Sequence, residues 1–161
     1  MYLLFALCLF PVNYNIQLYQ QQYFVSRVIF SESANTSLLA RRYVSGVIKN
    51  RIHLRDFGNG NNMYEVVCHK NQFSCINDKN NMNWANSDKF FQLSEKEQDI
   101  FISCFYLSNN DGKKLYGPSG RLLVYYHDSS IHMPRSWDNK YYKPILENKI
   151  DNLLFYSVIK K

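Results

Sequence analysis

The sequence predicts one α+β domain that is mainly helical and carries a small antiparallel sheet near its C-terminus. A chain of 161 residues with 46% hydrophobic and 20% charged residues has an ordinary globular composition and can bury a core. Apolar residues recur at helical spacing as far as about residue 109, and short β-branched and aromatic runs follow. No internal repeat or linker divides this stretch, so residues 20–161 are interpreted as a single domain.

Two long helices are predicted in the first third of the domain. The first covers residues 20–33, and the second begins at a cap formed by Thr36 or Ser37 and ends near Leu54. One face of the first helix is apolar: Tyr23, Phe24, Val28 and Ile29. The second has an apolar face of Leu39, Tyr43, Val47 and Ile48, and its charges come from Arg41, Arg42, Lys49 and Arg51.

The middle of the chain is predicted to be irregular. The stretch RDFGNGNN is a loop, and one short turn of helix follows at residues 63–67. The stretch QFSCINDKNNMNW begins with Gln72, Phe73 and Ser74, and its Asn-rich remainder is predicted to be loop. Two interpretations are open: a binding loop pinned by Phe73, or a surface loop held by one buried aromatic ring.

The last part of the chain changes from helical to strand periodicity. Ser94 and Glu97 form a capping-box pattern at the start of a helix that ends near Asn109. Its buried stripe consists of Ile100, Phe101, Cys104 and Phe105. Three runs, RLLVYYH, KPILENKI and LLFYSVI, then predict the antiparallel strands.

Residues 1–19 form an apolar N-terminal segment with two interpretations. The run MYLLFALCLFPVN is too short to span a bilayer, so no membrane span is expected beyond an N-terminal signal or anchor. Either it is a remnant of a signal peptide or an uncleaved anchor, in which case the protein is exported to the periplasm or cell envelope, or it is a buried first segment. Export would allow a disulfide between Cys68 and Cys75, whereas two free core thiols are the alternative.

The charge of the chain narrows the classes of partner. A net charge of +6 and a pI near 9.1 favour anionic partners, including nucleic acid, anionic lipid and the acidic polymers of a cell wall. The basic residues are spread along the chain and no nucleic-acid motif is present, so no specific nucleic acid is expected. The four histidines do not pair at metal-ligand spacing, and no phosphate-binding glycine loop occurs.

Glu32 is the one residue that suggests acid–base chemistry. It follows Val28, Ile29 and Phe30 at the end of the first helix, where partial desolvation would raise the pKa of a carboxyl group. A general acid for glycosidic cleavage needs that property. The alternative is an ordinary solvated charge near a helix end.

Four segments read in order carry a family resemblance: FVSRVIFSESA, VSGVIKNRI, EVVCHKNQFSC and KPILENKIDNLLFY. They resemble successive blocks of the SleB-type cell wall hydrolases, the spore-cortex-lytic enzyme family. The first two blocks match at Arg27, Val28, Ile29 and Glu32, and at Val44, Val47, Ile48, Asn50 and Arg51. The last two match at Val66, Val67 and residues 72–75, and at Pro144, Ile150, Asn152, Phe155 and Tyr156. The resemblance covers about residues 22–157.

The resemblance implies a lysozyme-like or lytic-transglycosylase-like fold that cleaves peptidoglycan between MurNAc and GlcNAc. It implies that Glu32 is the single catalytic acid and that neither a metal nor another cofactor is needed. Gln72 and Ser74, on a loop pinned by Phe73, would orient sugar hydroxyls or N-acetyl groups. The further expected substrate contacts are Tyr126, His127 and Trp137. Core packing of Trp137 and a structural hydrogen bond of His127 remain the alternatives.

The chain departs from the family pattern at two places. After Glu32, the stretch NTSLLARR replaces the Gly-Glu-Pro and Gly-Gln positions, so a different cleft entrance is expected. Near the end, the pattern I-G-N-H becomes Ile150, Asp151, Asn152 and Leu153. Three functions therefore stay open: a peptidoglycan-cleaving enzyme, a non-catalytic wall-binding member of the same fold, and a basic nucleic-acid-binding domain.

Overall fold

The computed structural model describes residues 12–54, 60–69, 72–78, 80–109 and 113–161, with side chains from residue 16 onward. Five α-helices occur in these ranges: α1 Val12–Ser33, α2 Leu38–Ile52, α3 Met63–Cys68, α4 Met82–Ser87 and α5 Glu95–Leu107. Three strands follow: β1 Tyr125–Asp128, β2 Tyr142–Ile150 and β3 Leu153–Lys160. The predicted α+β class, with a small antiparallel sheet near the C-terminus, is confirmed.

Helix α1 is the central element of the helical part. It begins at Val12, eight residues before the predicted start, and therefore runs through the expected boundary at residues 19 and 20. Val25, Val28, Ile29 and Phe30 are buried along it and form the middle of the core. Residues 1–11 lie outside the described residues, so the signal or anchor at the N-terminus stays a prediction.

Helix α2 begins as predicted, at the Ser37 cap. The Ser37 side chain accepts a hydrogen bond from the Ala40 amide, and the Ser37 amide donates to the Asp151 carboxylate at 2.6 Å. Three of the four basic residues that supply its charges are buried: Arg41, Lys49 and Arg51. Burial is possible because backbone carbonyls of neighbouring segments accept from Arg41 and Arg51.

The short helix α3 is confirmed, but the Asn-rich stretch after Ser74 is not all loop. Residues 82–87 form α4, whose first turn is capped by the Asn81 side chain accepting from the Trp84 amide. The Trp84 ring packs edge-on against Phe24, with ring centroids 5.4 Å apart. The Arg27 guanidinium carbon lies 4.2 Å from the centre of the Trp84 ring. Tertiary packing on α1 therefore overrides the weak helix propensity of this stretch.

Helix α5 has the predicted capping box, since the Glu97 amide donates to the Ser94 hydroxyl and the Ser94 amide donates to the Glu97 carboxylate. Phe101 is buried against Phe30 and Tyr23, with ring centroids 5.6 and 5.5 Å apart. Helix α5 thereby packs on α1 through these aromatic rings.

The sheet has the order β1-β3-β2, and both pairings are antiparallel. β2 and β3 are joined by a two-residue turn at Asp151 and Asn152, with Ile150 paired to Leu153. Asp151 has φ 53°, a left-handed conformation in which Asp is one of the tolerated non-glycine residues. Asp151 is one of the positions at which the chain departs from the I-G-N-H pattern, and its backbone conformation is one that glycine adopts without strain.

Asn50 and Arg51 join α2 to the segment that leads into the sheet. The Asn50 amide group donates to the carbonyls of Leu115 and Leu123 at 2.6 and 2.7 Å, and its oxygen accepts from the Leu115 amide at 2.9 Å. Arg51 Nε donates to the Val124 carbonyl at 2.9 Å. These bonds fix the chain immediately before β1 and thereby set the position of Tyr125 and Tyr126.

Within the described residues, no helix combines the length and apolar character that crossing a bilayer requires. Cys68, Cys75 and Cys104 are free thiols, with Cys68 exposed and the other two buried, so the pair at 68 and 75 forms neither a disulfide nor two core thiols.

We expect iodoacetamide to alkylate Cys68 in the native protein and Cys75 and Cys104 only after unfolding. Burial raises the pKa of Cys104 to about 12 and raises that of Cys75 further, so both stay inaccessible thiols. Peptide mass mapping after labelling at pH 8.5, with and without denaturant, measures this. Equal native labelling at all three positions would contradict the burial of the two thiols.

Candidate active site

A cleft of about 670 Å³ opens between the end of α1, the segment at residues 72–74 and the strand β1. All seven side chains that the sequence suggested for a site line it: Glu32, Gln72, Phe73, Ser74, Tyr126, His127 and Trp137. The structure adds further lining residues, of which Arg51, Tyr125 and Asp128 matter below. No described residue from 76 to 84 lines this cleft.

Glu32 lies in the last turn of α1, with its carboxyl group at the bottom of the cleft. Its Oε2 accepts a hydrogen bond from the Tyr126 hydroxyl at 3.2 Å. Its Oε1 is buried and accepts no hydrogen bond from the described residues. The Tyr126 hydroxyl therefore holds the carboxyl group through Oε2, and the Cys75 thiol lies beside the same group.

Two side chains beside this carboxyl group, Tyr126 and Cys75, are neutral at ordinary pH. The pKa of Tyr126 lies well above its usual value, because of burial first and the neighbouring Glu32 charge second. Burial also raises the pKa of the Cys75 thiol, and the Glu32 charge adds to that shift. Both side chains consequently stay protonated and act as neutral neighbours of Glu32.

Arg51 is a site residue that the sequence reasoning missed. Only 4% exposed, it donates from Nη1 to Gln72 Oε1 at 2.9 Å in addition to its bond with Val124. Burial lowers the pKa of Arg51, whereas the nearby Tyr126, Tyr125 and Glu32 raise it. Its guanidinium also lies 5.3 Å from the centre of the Phe73 ring and 5.7 Å from that of Tyr125. The signal in the sequence was the match of Arg51 in the second block of the family resemblance.

In the segment at residues 72–74, the aromatic residue is buried and the two polar residues are accessible, as predicted. Phe73 is 3% exposed and belongs to the core, as expected for an anchor. Gln72 is half-buried and Ser74 is exposed, and both face the cleft. A short 3₁₀ turn begins at Ser74 and leads Cys75 back into the core.

The opposite wall of the cleft is aromatic. The Trp137 ring stacks on Tyr125 with centroids 4.3 Å apart and planes 9° apart. It also lies 5.7 Å from His127 and 6.0 Å from Tyr156. Trp137 is half-exposed, so it belongs to a surface cluster at the cleft and is not a residue of the buried core.

Both ring nitrogens of His127 have protein partners. Nδ1 lies 2.7 Å from the carbonyl oxygen of Asp128 and therefore donates, which leaves Nε2, 3.0 Å from the Tyr156 hydroxyl, to accept in the neutral ring. The ring is 7% exposed and stacks on Tyr156. His127 thus has the structural hydrogen bonds of the alternative interpretation, and only its ring contributes to the cleft wall.

Asp128 brings a second carboxylate to the cleft. Its Oδ1 accepts from the Ser130 amide at 2.8 Å, and its Oδ2 accepts from the Asn152 side chain. These bonds, led by that from the Ser130 amide, hold the pKa of Asp128 below its usual value. Asp128 is therefore an ionised group that fixes the ends of β1 and the β2–β3 turn. Sequence reasoning could not find it, because the contact joins positions 24 residues apart.

No group of three or more His, Cys, Asp and Glu side chains with metal-ligand geometry occurs in the described ranges. Searches of protein-family models, curated proteins and solved structures found no match for this chain. What the cleft can do chemically therefore follows from its own residues. It offers one carboxyl group held by a tyrosine, a buried cation, an amide side chain and an aromatic wall.

If Glu32 acts as an acid in this cleft, Tyr126→Phe should lower the rate of that reaction about tenfold, because one hydrogen bond that orients Glu32 is lost. The free energy of unfolding should fall by only about 1 kcal/mol. Steady-state rates and thermal unfolding of the variant measure the two effects. An unchanged rate would mean that the bond between Tyr126 and Glu32 has no part in the chemistry.

Proposed function

We propose that this protein cleaves peptidoglycan glycan strands between MurNAc and GlcNAc, with Glu32 as the single catalytic acid, in a lysozyme-like fold of the SleB type. The observation that carries the proposal is the meeting of residues from separate segments in one cleft. The sequence predicts Glu32 from α1, residues 72–74 and three aromatic residues from the C-terminal part as site residues, and all of them line that cleft.

The first step is proton transfer to the glycosidic oxygen. Protonated Glu32 donates its proton to the oxygen between the two sugars while the bond from that oxygen to C1 of MurNAc breaks. The electron pair of that bond leaves with the GlcNAc hydroxyl, and positive charge develops at C1. The Tyr126 hydroxyl keeps the carboxyl group oriented and stabilises the carboxylate that results.

The second step closes a ring within the substrate. The Glu32 carboxylate takes the proton from the C6 hydroxyl of MurNAc, and that oxygen forms a bond with C1. The product is a 1,6-anhydro sugar, and Glu32 is again protonated. This route needs no second carboxylate, because Glu32 acts first as the acid and then as the base.

The remaining predicted contacts would position the glycan. A half-exposed Trp137 offers a flat apolar face of the kind that packs on sugar rings. Gln72 and Ser74 offer polar groups on the facing wall. Such a substrate lies outside the cytoplasmic membrane, so the proposal includes export to the periplasm or cell envelope.

The test is release of soluble fragments from purified peptidoglycan by the folded protein. Release supports the enzyme. Co-sedimentation with insoluble peptidoglycan without any release would overturn it in favour of the non-catalytic wall-binding alternative. Binding of nucleic acid alone, lost above roughly 0.2 M salt, would indicate only the non-specific behaviour of a basic chain.

A further inference from the structure

The interaction between Arg51 and Gln72 determines what Gln72 can offer to a ligand. A guanidinium group has only N–H donors, so the Gln72 atom that lies 2.9 Å from Arg51 Nη1 must be the amide oxygen. The amide nitrogen is then the atom that remains for other partners. No hydrogen bond between described residues uses that nitrogen, and Gln72 lines the cleft.

Arg51 cannot rotate away to release this arrangement. Its Nε is bound to the Val124 carbonyl, its side chain is 4% exposed, and its guanidinium lies near the rings of Phe73 and Tyr125. A glutamine free in solution presents either end of its amide group. Here the Gln72 amide oxygen is held by the Arg51 guanidinium, so the side chain is pre-organised to donate from its amide nitrogen.

We infer that Gln72, held by Arg51 as a positioning residue, recognises the carbonyl oxygen of a sugar N-acetyl group. This inference rests on the proposed function and adds a specificity determinant to it. A neutral amide donor matches a neutral carbonyl acceptor. The same donor repels the ammonium group that replaces the acetamide when the sugar is N-deacetylated, because both groups can only donate.

The test measures binding, so that it does not depend on turnover. Peptide-free glycan fragments are prepared in an N-acetylated and an N-deacetylated form, which removes carbonyls of the stem peptide as an alternative acceptor. Their dissociation constants are measured by calorimetry with Glu32→Gln as the parent protein. We expect the parent to bind the acetylated fragments about tenfold more tightly or better, as for a contact with one well-placed hydrogen bond.

Two substitutions at Gln72 separate recognition from packing. Gln72→Met keeps the length of the side chain but has no donor, so the preference for acetylated fragments should fall about tenfold. Gln72→Glu still accepts from Arg51 but presents a carboxylate oxygen to the ligand. The preference of this variant for acetylated fragments should be lower than that of Gln72→Met, and it should bind the ammonium-bearing fragments more tightly. Gln92→Glu, which adds the same charge at an exposed position outside the cleft, should keep the parent preference.

Arg51→Lys tests the positioning step. A lysine keeps the charge but cannot bind the Val124 carbonyl and the Gln72 oxygen with the same fixed geometry. Its preference for acetylated fragments should therefore fall toward that of Gln72→Met. Binding by the parent together with an unchanged preference in all three cleft variants would overturn the inference alone. No binding of either fragment by the parent would overturn the proposed function, and the inference with it.

Discussion

Glu32→Gln is expected to lower the release of soluble peptidoglycan fragments by about 10²- to 10⁴-fold, the usual contribution of a general acid. A glutamine has the size of the glutamate and can still accept from the Tyr126 hydroxyl, but it has no proton to give to the glycosidic oxygen. The thermal unfolding midpoint should stay within a few degrees of the wild type. Initial rates of fragment release and thermal unfolding of the same preparations measure both.

Glu95→Gln is the matched control for this prediction. Glu95 is an exposed carboxylate in the first turn of α5 and is not part of the cleft lining. The Glu95→Gln substitution should leave the rate of fragment release unchanged. If Glu32→Gln releases fragments at the wild-type rate while remaining folded, Glu32 is not the catalytic acid.

Asn50→Leu should have the largest effect on stability, a loss of about 2 to 6 kcal/mol. The substitution leaves the Leu115 amide and the Leu123 carbonyl without their side-chain partner, and each buried unpaired group costs about 1–3 kcal/mol. That is a large part of the total stability of a typical domain. Chemical denaturation followed by circular dichroism measures the loss.

The control for Asn50 is Asn83→Leu in α4. The Asn83 side chain is half-buried and makes no hydrogen bond to another described residue, so the free energy of unfolding should change by less than about 0.5 kcal/mol. A similarly small loss for Asn50→Leu would contradict the conclusion that the Asn50 hydrogen bonds hold α2 to the chain before β1. It would also remove the stated reason for the position of Tyr126.

The helices and strands could be predicted where local signals are strong. The Ser94 capping box, the Ser37 cap and the alternation in the C-terminal runs depend on residues close in sequence, and the structure has each of those elements. Helix α4 was missed because its stability comes from Trp84 packing against Phe24 and Arg27, which are distant in sequence. The early start of α1 was missed because apolar and polar residues alternate over residues 12–18, which is not the helical spacing.

The residues that line the cleft were partly predictable from the sequence, but their geometry was not. The resemblance named Glu32, residues 72–74 and the aromatic residues, yet no spacing reveals that Arg51 binds Gln72 or that Tyr126 binds Glu32. Asp128 and Tyr125 enter the cleft only because β1 pairs with β3. Hydrogen bonds across the fold, such as those that occupy both nitrogens of His127, are likewise absent from a linear pattern.

Mass spectrometry of the sugar ends released from purified peptidoglycan, with wild type and Glu32→Gln side by side, tests the central claim most directly. The proposed mechanism predicts 1,6-anhydro-muramyl ends from the wild type and none above background from the variant. Reducing muramyl ends from the wild type would contradict the ring-closing step and require a group that activates water. Anhydro ends in equal yield from both proteins would contradict the assignment of Glu32.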